Sequence, residues 1–320
     1  MTGEPSYSPL YRPMLATPFE RPFDSPDYIF EIKWDGYRAI AYVRGGEHGS
    51  TVLLSRNQKD ITPLFPSLGE SHRFITAKEA VLDGEVVAFE DDRPSFEALR
   101  RGSPAVFIAF DVLRVDGKDV MGMPIEERKD ILARLVAAGS SGVIEVPPHV
   151  VGSGEKLYKV SVARNLEGIM AKRSGSPYIP GRRTRYWLKI VNRKTCDCVI
   201  GGVLRGDEGR LRSFAIGLYR GDELIHVGYV GTGYDEGELE DILSALAPSV
   251  CSPFAESDAH LKRLASLGKV IWVRPSLVCE VKYLEVTSAR RLRQASFLRL
   301  RADRSPEQCT FEQLGEVILR

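Results

Sequence analysis

The chain has almost no net charge: 44 Lys and Arg against 43 Asp and Glu leave +1 over 320 residues. That excludes a global basic field, so any surface for a polyanion must be local. Cysteine is scarce, with five at positions 196, 198, 251, 279 and 309. An odd count without regular spacing excludes a disulfide framework and suits a reducing cytoplasm. No second Cys or His pair at zinc spacing accompanies Cys196 and Cys198, and the five histidines are scattered. Neither a zinc site nor a His-based triad is therefore legible. The two cysteines lie two apart in a strand-like run and are expected in the core. Apolar runs long enough to cross a bilayer are lacking. So is the apolar stretch of a signal peptide after Met1-Thr2-Gly3-Glu4-Pro5. Internal repeats and low-complexity tracts are missing too.

What is present is an ordinary globular composition, 43% hydrophobic and 27% charged, at a length that allows two domains. The most informative run is Glu31-Ile32-Lys33-Trp34-Asp35-Gly36-Tyr37-Arg38, set between the apolar Tyr28-Ile29-Phe30 and the strand-like Ala39–Val43. A lysine so placed is a candidate nucleophile if desolvation and nearby cations release its lone pair. The glycine behind it lets the chain pass close to a ligand. The plainer reading is an edge-strand lysine.

Further along, Val81–Phe89 carries the acid-glycine-acid step Asp83-Gly84-Glu85 at a strand entry. Its carboxylates could hold a divalent cation or a sugar hydroxyl, although a β-turn with solvated acids is the plainer reading of that step alone. Ser95 caps an expected short helix, and Val106–Leu113 reads as a buried strand in which Phe110 is either core or a stacking ring. Pro124 opens an amphipathic helix whose charged face, Glu126 to Asp130, is expected to be solvated. Leu166-Glu167-Gly168 places another acid before a glycine. A Gly/Pro/Arg loop at 176–185 precedes the strand Tyr186–Val191, in which Lys189 points away from its apolar neighbours.

From Val199 the texture changes to short strands and tight turns, including those at residues 205–209 and 220–223. A helix at about 236–247 and strands over 270–287 follow. This pattern suits a small β-barrel such as an OB-fold. The chain closes on an arginine-rich run, Arg290 to Arg304, which either meets phosphates or is paired with nearby acids.

Taken in order, these pieces resemble the ATP-dependent DNA ligases of the covalent nucleotidyltransferase superfamily, over nearly the whole chain. Lys33-Trp34-Asp35-Gly36-Tyr37-Arg38 looks like the adenylylation motif. Ser55-Arg56, Leu82-Asp83-Gly84-Glu85, Phe110-Asp111-Val112-Leu113, Glu167-Gly168 and Trp187-Leu188-Lys189 resemble the motifs that follow. Arg299-Leu300-Arg301-Ala302-Asp303-Arg304 resembles the closing motif. The wording of Arg12–Ala16, Val230–Gly233 and Ala295–Arg299 is similar to small bacterial C-type ligases and to the ligase domain of D-type end-joining enzymes.

The resemblance implies an α+β fold: an adenylation domain of antiparallel sheets with flanking helices over residues 1–194, then an OB-fold barrel over 195–320. It implies a ligase using ATP and Mg²⁺ or Mn²⁺ on nicked or broken duplex DNA. Lys33 would be the nucleophile and Glu31 the reader of adenine. Arg38 and Glu85 would engage the ribose, and Phe110 would stack on the base. Glu85 and Glu167 would hold metal. Arg56, Arg183 and Lys189 would contact phosphates, while Arg301, Asp303 and Arg304 would grip the leaving pyrophosphate. A monomer in the bacterial cytoplasm, on the nucleoid when acting and partnered by end-joining or repair proteins, is the accompanying expectation. Two departures stand out. Val191 occupies the place of a second lysine, for which Arg193, at the same strand parity, is the expected substitute. The closing motif ends in Arg304 rather than lysine. A capping guanylyltransferase, an RNA ligase and a non-catalytic binding module remain the alternatives.

Overall fold

The computed structural model describes residues 11–91, 93–136, 142–206, 211–255 and 269–315. The start of the N-terminal segment and most of the turn expected at 205–209 lie outside them. The chain forms two compact units, Met1–Asn192 and Arg193–Arg320. The architecture is the expected α+β, mostly sheet with few helices.

Among the described residues, the N-terminal unit holds two sheets. In one, the strand order is Leu15–Pro18, Arg183–Val191, Gly168–Arg173, Ser25–Ile32, Val150–Gly152. In the other, Ser50–Ser55, Tyr37–Arg44, Glu79–Glu90, Ala105–Val115 and Lys118–Asp119 lie side by side. The segment Glu31–Tyr37 thus leaves one sheet and enters the other, which places Lys33 at the crossing. Ser25–Ile32 and Gly168–Arg173 run antiparallel with Met170 opposite Glu31. Near the N-terminus, Leu15–Pro18 adds a strand that runs parallel to Arg183–Val191.

Asp83-Gly84-Glu85 is not a turn. It sits inside the long strand Glu79–Glu90, with Asp83 fully buried. The plainer reading fails because Arg38 and the Tyr178 hydroxyl reach Asp83 and satisfy it. Pro63 and Pro66 each occupy the first turn of a 3₁₀ helix, Thr62–Leu64 and Pro66–Phe74, where a fixed φ and missing N–H do no harm. The helix Phe96–Arg100 is capped as expected, with Ser95 Oγ accepting from Ala98 N at 3.1 Å.

The helix Ile125–Leu135 follows Pro124, and its charged stretch is solvated only in part: Glu127 and Asp130 are exposed. Arg128 and Lys129 are both buried. Arg128 forms a two-pronged pair with Asp111, Nε to Oδ1 at 2.8 Å and Nη2 to Oδ2 at 2.9 Å, and Lys129 meets Glu31. Those acids stand on distant strands, out of reach of helical periodicity. The helix Gly154–Ala163 was not anticipated, since its glycine start and valine-rich body favour other conformations.

In the C-terminal unit an antiparallel sheet runs in the order Glu223–Val230, Leu211–Arg220, Lys194–Arg205, Lys269–Tyr283, Ser296–Leu300. Phe297 N donates to Thr232 O at 2.9 Å, so the last strand returns to the chain just beyond the first-placed one, as a small barrel requires. The helix Glu236–Ala245 starts at a capping box of Asp235 and Glu238. Cys196 and Cys198 are buried as expected, among Val199, Phe214, Val281 and Phe297 of this unit's core.

Candidate active site

Lys33 stands just past the strand Ser25–Ile32, its backbone N donating to Gly168 O at 3.0 Å. This contact ties Lys33 to the strand start that carries Glu167, and Lys33 Nζ is paired with Glu167 Oε2. Gly168 makes the approach possible: its φ is +140°, and a Cβ there would lie 2.1 Å from Ile190 O. Gly36 is needed for the same kind of reason, since a Cβ on it would lie 2.0 Å from Val86 O.

The lysine opens into a pocket of about 200 Å³ lined by Glu31, Lys33, Arg38, Arg56, Glu85, Phe110, Arg183 and Lys189, together with Met14, Trp34, Met170, Lys172 and Trp187. Every residue singled out from the N-terminal motifs is therefore gathered here, with Glu167 in contact with Lys33. Arg38 is held by Asp83, Nε to Oδ1 and Nη2 to Oδ2 both at 2.6 Å. Its guanidinium carbon lies 4.6 Å from the Phe110 ring centroid. Arg183 donates to Ala16 O. Burial would discharge Arg38, but the Asp83 carboxylate more than reverses this and raises its pKa further above the ordinary value.

Glu31 is also buried, yet its pKa lies below the usual carboxylate range because Lys129 and Lys172 outweigh desolvation. Burial pushes Glu85 up to about 8, with Glu167 and Asp83 adding to the rise against Arg38 and Lys33. Two neighbouring carboxylates, one of them short of countercharge, fit a divalent cation held by few protein ligands plus phosphate oxygens and water, the habit of Mg²⁺. Among the described residues no cluster of three or more His, Cys, Asp or Glu is arranged for a metal.

The closing motif lies on the C-terminal unit and forms its own cluster. Arg301 donates to both oxygens of Asp303 at 2.8 Å and to Asp197 at 2.9 and 3.2 Å. Arg304 lies 3.3 Å from Asp197. Farther along the arginine-rich run, Arg299 pairs with Glu280 and Arg293 with Glu285.

Residues 13–190 match the family described as the ATP dependent DNA ligase domain, and residues 207–304 match its C-terminal region. The chain belongs to the ATP-dependent DNA ligases. Among its relatives is the multifunctional non-homologous end joining protein LigD of Mycolicibacterium smegmatis, 35% identical over 94% of this chain but 40% of that protein. The chain thus spans about two fifths of that relative's length. DNA ligase C of Mycobacterium tuberculosis is 30% identical over 90% of each chain. The crystal structure of the ligase domain of M. tuberculosis LigD is 33% identical over 94% of this chain and 98% of that one, with a TM-score of 0.52. A mycobacterial DNA ligase D complexed with ATP and MES matches at 32% identity, 94% and 98% coverage and a TM-score of 0.54. The C-terminal unit of this ligase chain is consistent with an OB-fold.

The motifs alone did not point to Lys172 or Lys129 of the ligase. Lys172 Nζ lies 2.8 Å from Glu31 Oε2, 4.6 Å from the Phe110 ring centroid and 4.4 Å from that of Trp187. Burial lowers its pKa to about 8. An alternating pattern could have found Lys172, since it interrupts an otherwise apolar strand; nothing local marks Lys129. The strand parity on which the expectation for Arg193 rests is not observed. The strand ends at Val191, opposite Gly168. Arg193 belongs to the C-terminal unit, where it donates to Gln294 O at 2.9 Å and Gln294 Oε1 at 3.3 Å. Strand parity does not survive the unit boundary.

Proposed function

We propose that Lys33 takes AMP from ATP, that the AMP passes to the 5′-phosphate of a nick or break in duplex DNA, and that attack by the 3′-hydroxyl then releases it. The observation that supports this is the convergence of Glu31, Arg38, Arg56, Glu85, Phe110, Arg183 and Lys189 on one pocket around Lys33. An ammonium has no lone pair, and Glu167 Oε2, in contact with Nζ, is the acceptor for the proton that must leave before attack. The Nζ–P bond then forms as the bond to pyrophosphate breaks. Arg56, Arg183 and Lys189 set positive charge against the phosphoryl oxygens. Arg38 and Glu85 engage the ribose, and Phe110 stacks on adenine. Glu31, kept ionised by Lys129 and Lys172, accepts from the adenine N6 amino group and repels the O6 of guanine.

Glu85 and Glu167 would hold Mg²⁺ or Mn²⁺. Such an ion, when bound, neutralises charge on phosphoryl oxygens. Arg301, Asp303 and Arg304 assist departure of pyrophosphate. The kinship with a protein named for non-homologous end joining supports a role in repairing DNA breaks alongside end-joining proteins, and the enzyme is proposed to act as a monomer at the bacterial nucleoid. The test is to mix protein with α-labelled ATP or GTP and then add nicked DNA. Labelling from ATP, chased into sealed DNA, is expected. Labelling from GTP alone, or none, would sink the reading.

A further inference from the structure

We propose that Asp197 is a positioning residue for the first chemical step, holding the closing-motif arginines in the geometry that receives pyrophosphate. The inference rests on the reading of Arg301 and Arg304 given above. It begins with the tripeptide Cys196-Asp197-Cys198. Strand alternation sends the two thiols to one face and the carboxylate to the other. The thiols lie 3.5 Å apart in the core, so Asp197 must face the closing motif. There it is 7% exposed, and its two oxygens take Arg301 Nη1 at 2.9 and 3.2 Å and Arg304 Nε at 3.3 Å.

The backbone of Asp197 is fixed as well. Gln313, on the 3₁₀ helix Phe311–Leu314, accepts from Asp197 N at 2.9 Å and donates to Asp197 O at 3.2 Å. One side chain thus satisfies both main-chain groups of the residue that gathers the arginines. Arg301 directs Nε and Nη2 to Asp303 and Nη1 to Asp197, so most of its donors are committed inside the cluster. Arg304, 44% exposed, presents the charge that meets an anion. Arg301 orients, Arg304 contacts, and Asp197 sets the distance between them.

The experiment compares Asp197→Asn, Gln313→Ala, Arg301→Ala and Arg304→Ala by single-turnover kinetics. Asp197→Asn keeps the shape but weakens charge-assisted bonds. It should slow enzyme–AMP formation, and the pyrophosphate-driven reversal of that step, by about tenfold or more. Sealing of a nick that already carries a 5′-adenylate should stay within about twofold, because that substrate has passed the pyrophosphate step. Gln313→Ala should show the same selectivity to a smaller degree. If Arg304→Ala slows the first step but Asp197→Asn does not, the positioning role is wrong. Equal loss of adenylylation and of sealing in Asp197→Asn would mean general damage and would also overturn it. If neither Arg301→Ala nor Arg304→Ala affects the first step, it is the reading of the closing motif that fails.

Discussion

The same pair of residues occurs in both units with nearly the same geometry and opposite surroundings. Arg38 grips Asp83 with two bonds of 2.6 Å, and Arg301 grips Asp303 with two of 2.8 Å. Asp83 is fully shielded from solvent, whereas the side chain of Asp303 is 68% exposed. Distances alone would rank them as equals. Burial separates them. A buried partner cannot be replaced by water, so Arg38 is locked where it lies under Phe110. The exposed pair exchanges with solvent at little loss. The pocket is thus built around fixed charges, whereas the closing-motif pair turns its carboxylate to solvent.

The comparison can be broken or sharpened by substitution. The largest effect belongs to Lys33→Ala, which should abolish enzyme–AMP formation outright while some sealing of a pre-adenylylated nick persists. Arg304→Ala should only slow the first step. Gel detection of labelled enzyme and of sealed product checks both, and equal loss of the two activities in Lys33→Ala would remove the nucleophile assignment.

Next comes Asp83→Ala. It strands a buried guanidinium and the Tyr178 hydroxyl, and should lower unfolding free energy by about 3–5 kcal/mol. Urea titration measures this, and a loss below about 1 kcal/mol would erase the contrast between the pairs.

A smaller effect is expected with pH. Burial holds Lys172 at about 8 against an ordinary value of 10.5. The unfolded chain therefore binds more protons between those values, so the penalty of burying the ammonium is fully present below about 8 and fades as pH rises through the window. Stability should gain about 3 kcal/mol there, and Lys172→Met should flatten the rise. A wild-type curve that falls across the window would contradict this assignment.

The smallest effect is that of Asp303→Ala. Its carboxylate is held well below the usual range by the hydrogen bond from Arg301, yet solvent replaces that bond at once. The melting temperature should not move measurably, in low salt or high. A clear drop would show that the exposed pair is structural after all.

Much of this was legible in the sequence because motif chemistry is local. Lys33, Asp35 and Gly36 announce themselves within four positions, and their strands follow from apolar alternation. The order of later motifs then identifies the pocket residues one by one. What stayed hidden depends on partners far away in the chain. The charged face of Ile125–Leu135 reads as solvated until Asp111 and Glu31 are brought beneath Arg128 and Lys129. Asp83 reads as a turn acid until Arg38 and Tyr178 arrive. The role assigned to Arg193 required the strand to continue through a unit boundary that periodicity does not mark.

The parallel strand Leu15–Pro18 carries a kinetic consequence. Thr17 donates to Thr184 O across a separation of 167 residues, so the opening strand of the N-terminal unit has no partner until its closing strand exists. Closure of so long a loop comes late in folding, since its entropy must be lost before the pairing contributes. Leu15, Ala16, Arg183 and Lys189 also line the pocket. That pocket is therefore among the last features of the N-terminal unit to assemble, so on the function proposed above a chain still emerging from the ribosome could not take AMP before the unit is complete. On the same proposal, ATP bound there would stabilise the pairing of longest range, so the substrate would fasten the seam that shapes its own site.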